Sequence, residues 1–282
     1  MFEGMYGMSC VENQVLAILR ERRNDIRPLY HNSAVPLREL FFSLVVRGEK
    51  PYRFYLVPRI QEELKALGLI SLTLQKGQSA DTLREQVRHS GKDAVLVRVT
   101  PECTKSVLHA RGFREDHYVR AVSCGDGFLL YNDIPEAVVP LGDDAFGDIL
   151  TGDSLHLSVR GDVDGRVKTR LWDNRRFRPE QTKPFSLAEA EWERGGAAER
   201  LRDLLGVYKI MRYRMQAYYG QYVDTDFIGR TMPLIEQYYM KTEYWNLRKS
   251  APGNAPEALL DELQRRDAQM MKILMERLEE KR

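Results

Sequence analysis

With 282 residues and 43% apolar side chains, the chain has room for one large domain or two small ones around a sizeable core. Its 43 basic and 41 acidic residues leave a formal charge of +2, which excludes a global field for nucleic acid or a membrane surface, so any partner must be read from local patches. Cys10, Cys103 and Cys124 form no CxxC pair and leave a thiol unpaired, and the N-terminus lacks a basic leader before its short apolar stretch meets the charged run Arg20 to Arg23. These features predict a reduced, cytoplasmic protein without a signal peptide or membrane span.

After Cys10, apolar residues at Val11, Val15, Ile18 and Leu19 keep helical spacing, so the thiol opens a helix. A second amphipathic helix is predicted over Phe54 to Leu67, stopped by Gly68, then a strand over Leu69 to Leu74. Gly77 and Ser79 open a helix through His89, and Asp93 to Thr100 is a β-branched strand closed by Pro101. Residues 102–116 read as a polar loop. His117 to Ser123 and Phe128 to Tyr131 form a hairpin around Gly125-Asp126-Gly127, broken by Asn132-Asp133-Ile134-Pro135. A helical turn or two over Asp143 to Leu150 and a strand over Ser154 to Val159 follow. The first region, 1–165, is thus α+β, with helices first and antiparallel strands later. Residues 166–184, with seven Arg or Lys and no clear period, read as a basic connector, and 185–282 as an all-α extension with helices near 186–222, 225–249 and 256–281.

A cysteine nucleophile needs thiolate character, which the partial positive charge of a helix N-terminus and a nearby imidazole both favour. A third group on the far ring nitrogen fixes the imidazole tautomer. Cys10 at a helix start, His117 at a strand start and Asn132 or Asp133 at the end of the returning strand supply these parts in the order Cys, His, Asn or Asp. Each residue also has a plainer reading: Cys10 as a small buried hydrophobe, His117 as a structural histidine, Asp133 as a turn former. Asn13 and Gln14, one turn below Cys10, are candidates for an oxyanion or orienting amide, or for helix hydrogen bonding.

The segment DHYVRAVSCGDGFLLYNDIPE, followed by a short helix, Thr151-Gly152 and the strand SLHLSV, resembles the C-terminal half of the papain-like domain in bacteriocin-processing peptidases. It is also similar to the N-terminal domain of the butirosin biosynthesis H protein, an acyltransferase acting on carrier-protein thioesters. The resemblance spans about residues 4 to 160. It implies a papain-like fold with Cys10 as nucleophile, His117 as base and Asp133 as orienting residue. Two departures matter. The peptidases carry an oxyanion Gln about six residues before the nucleophile, where this chain has Gly4, and the turn here is Asn-Asp-Ile-Pro, which leaves Asn132 as an alternative orienting residue.

His31, His89, His109 and His156 have no Cys or carboxylate at metal-ligand spacing, so no metal is predicted. Tyr30-His31-Asn32-Ser33 reads as a loop or a cleft lining. In the C-terminal helices Tyr208, Met211, Met215, Tyr218, Tyr219 and Tyr222 recur at helical spacing with Lys209, Arg212 and Arg214 between them. This is either an aromatic core stripe or a lid with basic residues for an acidic partner, with Tyr208, Arg212 and Tyr219 as substrate or partner candidates. Met270, Met271, Leu274 and Leu278 suit a core face or a homodimer interface.

A thioester is already activated and demands less of an oxyanion hole than an amide. With no glutamine at the upstream position, the resemblance therefore implies a cysteine acyltransferase or thioesterase in natural-product biosynthesis rather than a peptidase. Its expected donor is an acyl or peptidyl carrier protein whose phosphopantetheine belongs to that partner, and its acceptor an amine or water, with no cofactor on this chain. A cysteine peptidase and a non-catalytic binding protein of the same fold are the alternatives.

Overall fold

The structure is a computed structural model that describes residues 6–51, 57, 59–109, 117–161, 163, 185–186, 197–248 and 255–281. In chain order the helices are α1 (Cys10–Glu21), α2 (Leu37–Phe41, continued by a π-helical turn Phe42–Val46), α3 (Ile60–Ala66), α4 (Ala80–Arg88), α5 (Pro101–Ser106), α6 (Asp143–Asp148), α7 (Ala197–Tyr219), α8 (Asp226–Arg248) and α9 (Ala255–Glu279). The strands are β1 (Ile70–Gln75), β2 (Ala94–Val99), β3 (His117–Cys124), β4 (Gly127–Asn132), β5 (Ala137–Gly142) and β6 (Leu150–Val159). They form one six-stranded sheet in the order β1-β6-β2-β3-β4-β5, antiparallel throughout. The α+β class is therefore as expected.

The chain divides into two compact units, Met1–Ile26 with Arg59–Arg166, and Arg27–Pro58 with Val167–Arg282. The first holds the sheet with α1 and α3 to α6. One core cluster is a valine-rich sheet face, with Val95, Val97 and Val119 packed with Val87 of α4 and Phe146 of α6. Phe128 stacks on Phe146 at 4.0 Å between ring centres. Several differences from the predicted elements have local causes. The helix expected from Phe54 begins at Ile60, directly after Pro58-Arg59, because the residue preceding a proline is biased away from helical backbone; residues 52–56 of that expectation lie outside the described ones. The start of the predicted loop 102–116 is helical, because Thr100 caps the N–H of Cys103 at 3.2 Å and Pro101 fits the first helical position. Strand β5 was not expected. It is an edge strand that tolerates Pro140, and a Cβ on Gly127 would lie 2.4 Å from the Leu141 oxygen, so glycine lets β4 and β5 close up.

The division after Arg166 falls next to the boundary expected at 165, but residues 27–58, expected in the first domain, group with the second unit. Residues 27–58 belong with the C-terminal helices, because their buried apolar groups and backbone polar groups are satisfied there. Phe41 of α2 stacks on Phe185 at 4.3 Å, and the backbone of Ser33, Val35 and Leu37 bonds to side chains of α7 and α9. Arg212 of α7 and Asp267 of α9 form a buried ion pair at 2.6 Å. Arg212 also donates to Val35 O at 2.7 Å, while Asp267 accepts from Leu37 N at 2.8 Å and from the Tyr208 hydroxyl at 3.0 Å. The predicted connector 166–184 lies outside the described residues. Among the described residues no helix is long and apolar enough to cross a membrane.

Candidate active site

The start of α1 is held by a reciprocal pair of caps. Ser9 Oγ accepts from Glu12 N at 3.2 Å, and the Glu12 carboxylate takes the N–H of Met8 at 2.5 Å and that of Ile60 at 2.9 Å. Glu12 is 1% exposed, so this carboxylate is a buried clamp tying the turn before Cys10 to the start of α3. At the other end of α1, Glu21 receives both guanidinium arms of Arg120 from β3, at 2.6 and 2.8 Å. Helix and sheet are thereby fixed relative to each other around the thiol.

The antiparallel register that pairs Arg120 with Tyr131 sets the start of β3 beside the end of β4. There His117 Nε2 lies 2.8 Å from Asn132 Oδ1 and 3.2 Å from Asp133 Oδ1. The N–H is aligned on Asn132, and no hydrogen-bond donor is aligned on Asp133 Oδ1, so Asn132 fixes the ring and Asp133 supplies charge beside it. Asn132 is itself locked, donating to Pro135 O at 2.7 Å. The Cys10 side chain is close enough to act on the same ring. Since Nε2 faces Asn132 and Asp133, the nitrogen left for the thiol is Nδ1.

Burial works against charge on His117, but its contacts with Asp133 and Cys10 outweigh burial and raise it from 6.5 to about 10. The ring thus carries its second proton through neutral pH. Because the folded-state value lies above the ordinary one, its contribution to stability is complete below about pH 6.5 and is lost as pH rises through about 10. The stability difference between the protein and a His117→Gln variant is expected to shrink across that interval in thermal unfolding. A difference constant with pH would contradict this ionisation.

The predicted trio Cys10, His117 and Asp133 is therefore brought together, and Asn132 joins it as the hydrogen-bonding partner. The amides of Asn13 and Gln14 are engaged elsewhere. Gln14 donates to Tyr131 O at 2.7 Å, which anchors α1 to β4, and Asn13 donates to Asp133 Oδ2 at 2.8 Å while accepting from Gly7 N at 2.8 Å. Neither side chain is an oxyanion donor; Asn13 joins the site from behind the carboxylate. With Glu12 N bonded to Ser9 Oγ and Asn13 N to Ser9 O, the first-turn N–H groups of Cys10 and Val11 remain as donors without a protein acceptor among the described residues. Gly4, where the resembling peptidases carry glutamine, lies outside the described residues.

Tyr208, Arg212 and Tyr219 do not form a docking surface. Tyr208 and Arg212 are fully buried and Tyr219 is 7% exposed. The basic residue interleaved with the aromatic stripe faces inward because Asp267 and two backbone carbonyls satisfy its guanidinium. Met270, Met271 and Leu274 are likewise buried within the chain rather than offered to a second copy. Among the described residues no group of three or more His, Cys, Asp or Glu side chains is placed to hold a metal ion. No family model matches the chain, and no curated protein matches it.

Proposed function

We propose that the sheet-bearing unit is a papain-like thiol acyl-transfer domain, and more particularly that it acts on an acyl or peptidyl carrier-protein thioester in the cytoplasm, as part of natural-product assembly. The observation that carries this reading is the Cys10–His117 contact at a helix N-terminus, with Asn132 and Asp133 behind the ring. Cys10 sulfur attacks the thioester carbonyl, the oxyanion is met by the N–H groups of Cys10 and Val11, and collapse breaks the bond to the phosphopantetheine sulfur, which leaves with the proton carried by His117. An amine or water then gives a proton to His117 and attacks the acyl-Cys10, expelling the thiolate. Two backbone donors without a side-chain amide suit an activated thioester better than a peptide bond.

The thiol itself is tested by alkylation with iodoacetamide at about pH 6, mapped by peptide mass spectrometry. Cys10 is expected to label first, exposed Cys124 more slowly, and Cys103 last, since burial pushes its thiol up to about 11. Equal labelling of Cys10 and Cys124 would remove the catalytic reading and leave a binding protein. Cleavage of a peptide without acylation of Cys10 by a thioester would favour a peptidase.

A further inference from the structure

Asp133 faces two elements. From β3 comes the His117 ring, with Cys10 beyond it; from α1 comes Asn13. Asp133 is 6% exposed; its Oδ2 accepts from Asn13 Nδ2 at 2.8 Å, and its Oδ1 faces His117 Nε2 at 3.2 Å. One oxygen of this buried carboxylate is thus set by the Asn13 amide, and the other is turned toward the His117 ring. The neighbouring carboxylate of Glu12 is turned away, onto Met8 N and Ile60 N.

The orientation of Asn13 is set by its other end. Its Oδ1 accepts from Gly7 N, so its NH2 group must point at Asp133; a flipped amide would set oxygen against carboxylate and NH2 against N–H. Gly7 permits this approach because a Cβ there would lie 2.4 Å from Asn13 Oδ1 and 2.7 Å from Asn13 N. Asn13 stands three residues after Cys10, on the same side of the first turn of α1. We propose that Asn13 is a positioning residue of the thiol site: it couples the helix turn that carries the nucleophile to Asp133 and holds that carboxylate in place beside the His117 ring. This rests on the acyl-transfer reading and adds to it a fifth side chain, which acts through Asp133.

Asn13→Asp separates this role from simple packing. Its carboxyl keeps both hydrogen bonds while protonated, donating O–H to Asp133 Oδ2 and accepting from Gly7 N; once ionised it sets two carboxylates against each other. The experiment is Cys10 alkylation by iodoacetamide on the full chain, expressed as a ratio to wild type from about pH 5.5 to 7.5, with far-UV circular dichroism at each pH. The Asn13→Asp ratio is expected to be near one at the acid end and to fall roughly tenfold by the neutral end with ellipticity unchanged, and Asn13→Ala is expected to be down on the order of tenfold or more at about pH 6. A ratio independent of pH in Asn13→Asp, wild-type reactivity in folded Asn13→Ala, or unfolding of Asn13→Asp in step with its loss of reactivity would each overturn the positioning role. Asn13→Asp at the acid end keeps the test decisive should Asn13→Ala fail to fold. If wild-type Cys10 reacts no faster than Cys124, the acyl-transfer reading falls and takes this role with it; if wild-type Cys10 is fast and the variants match it, only the role of Asn13 falls.

Discussion

Replacing His117 with alanine is expected to lower acyl transfer from a carrier thioester by about 10²- to 10⁴-fold while the sheet stays folded, as befits removal of a positioned acid–base group. The size follows from what the ring does at both steps. It holds charge beside the Cys10 sulfur when the thioester is attacked, and it must take a proton from the incoming amine or water when the acyl-enzyme is resolved. His117 is buried to 3% exposure, so its removal also leaves Asp133 facing an unfilled space, and circular dichroism must accompany the kinetics. Asn132→Ala should weaken transfer less, because Asp133 still lies 3.2 Å from Nε2 and keeps the ring charged. Single-turnover transfer measured by mass shift on the acceptor separates these cases. Transfer by His117→Ala within a few-fold of wild type would remove the imidazole from the chemistry.

The second large effect concerns stability of the helical unit. Asp267→Ala strips a fully buried guanidinium of its counter-charge and leaves the N–H of Leu37 and the hydroxyl of Tyr208 without their acceptor. Breaking a buried pair from one side costs about 3–5 kcal/mol, on the order of 10 °C in the unfolding midpoint. The penalty belongs to the orphaned charge more than to the lost attraction. Replacing both partners, Arg212→Met with Asp267→Leu, should therefore recover much of the loss. Differential scanning calorimetry reads this directly. Equal midpoints for wild type and Asp267→Ala would show that the pair is not buried in the folded protein.

The parts of the site written in local sequence were legible, and those that depend on distant partners were not. The apolar period Val11, Val15, Ile18 and Leu19 announced α1, and the Gly125-Asp126-Gly127 turn announced the hairpin that seats His117 beside Asn132 and Asp133. The choice between Asn132 and Asp133 was not legible, because adjacent residues at a strand end both reach the ring, and both do: one along the N–H, the other beside it. That Arg212 belongs to the core stripe and not to a docking face was not legible for a related reason. Its partners, Ser33, Val35 and Asp267, lie 179, 177 and 55 residues away, and nothing near Arg212 in sequence marks it as buried. The same network explains why residues 27–58, met before the sheet in sequence, belong with helices that come after it. Helix α5 had left a signal, Thr100-Pro101 as cap and first residue, which was masked by the polar run that follows.

The central proposal, a covalent acyl-Cys10, is tested most directly by intact-protein mass spectrometry of the full chain mixed with an acyl-phosphopantetheinyl carrier protein and quenched in acid. The expected result is a single adduct of the acyl mass, mapped to Cys10, absent from Cys10→Ala, and discharged on adding an amine. No adduct on the wild-type chain with any acyl carrier thioester, or the same adduct on Cys10→Ala, would contradict it.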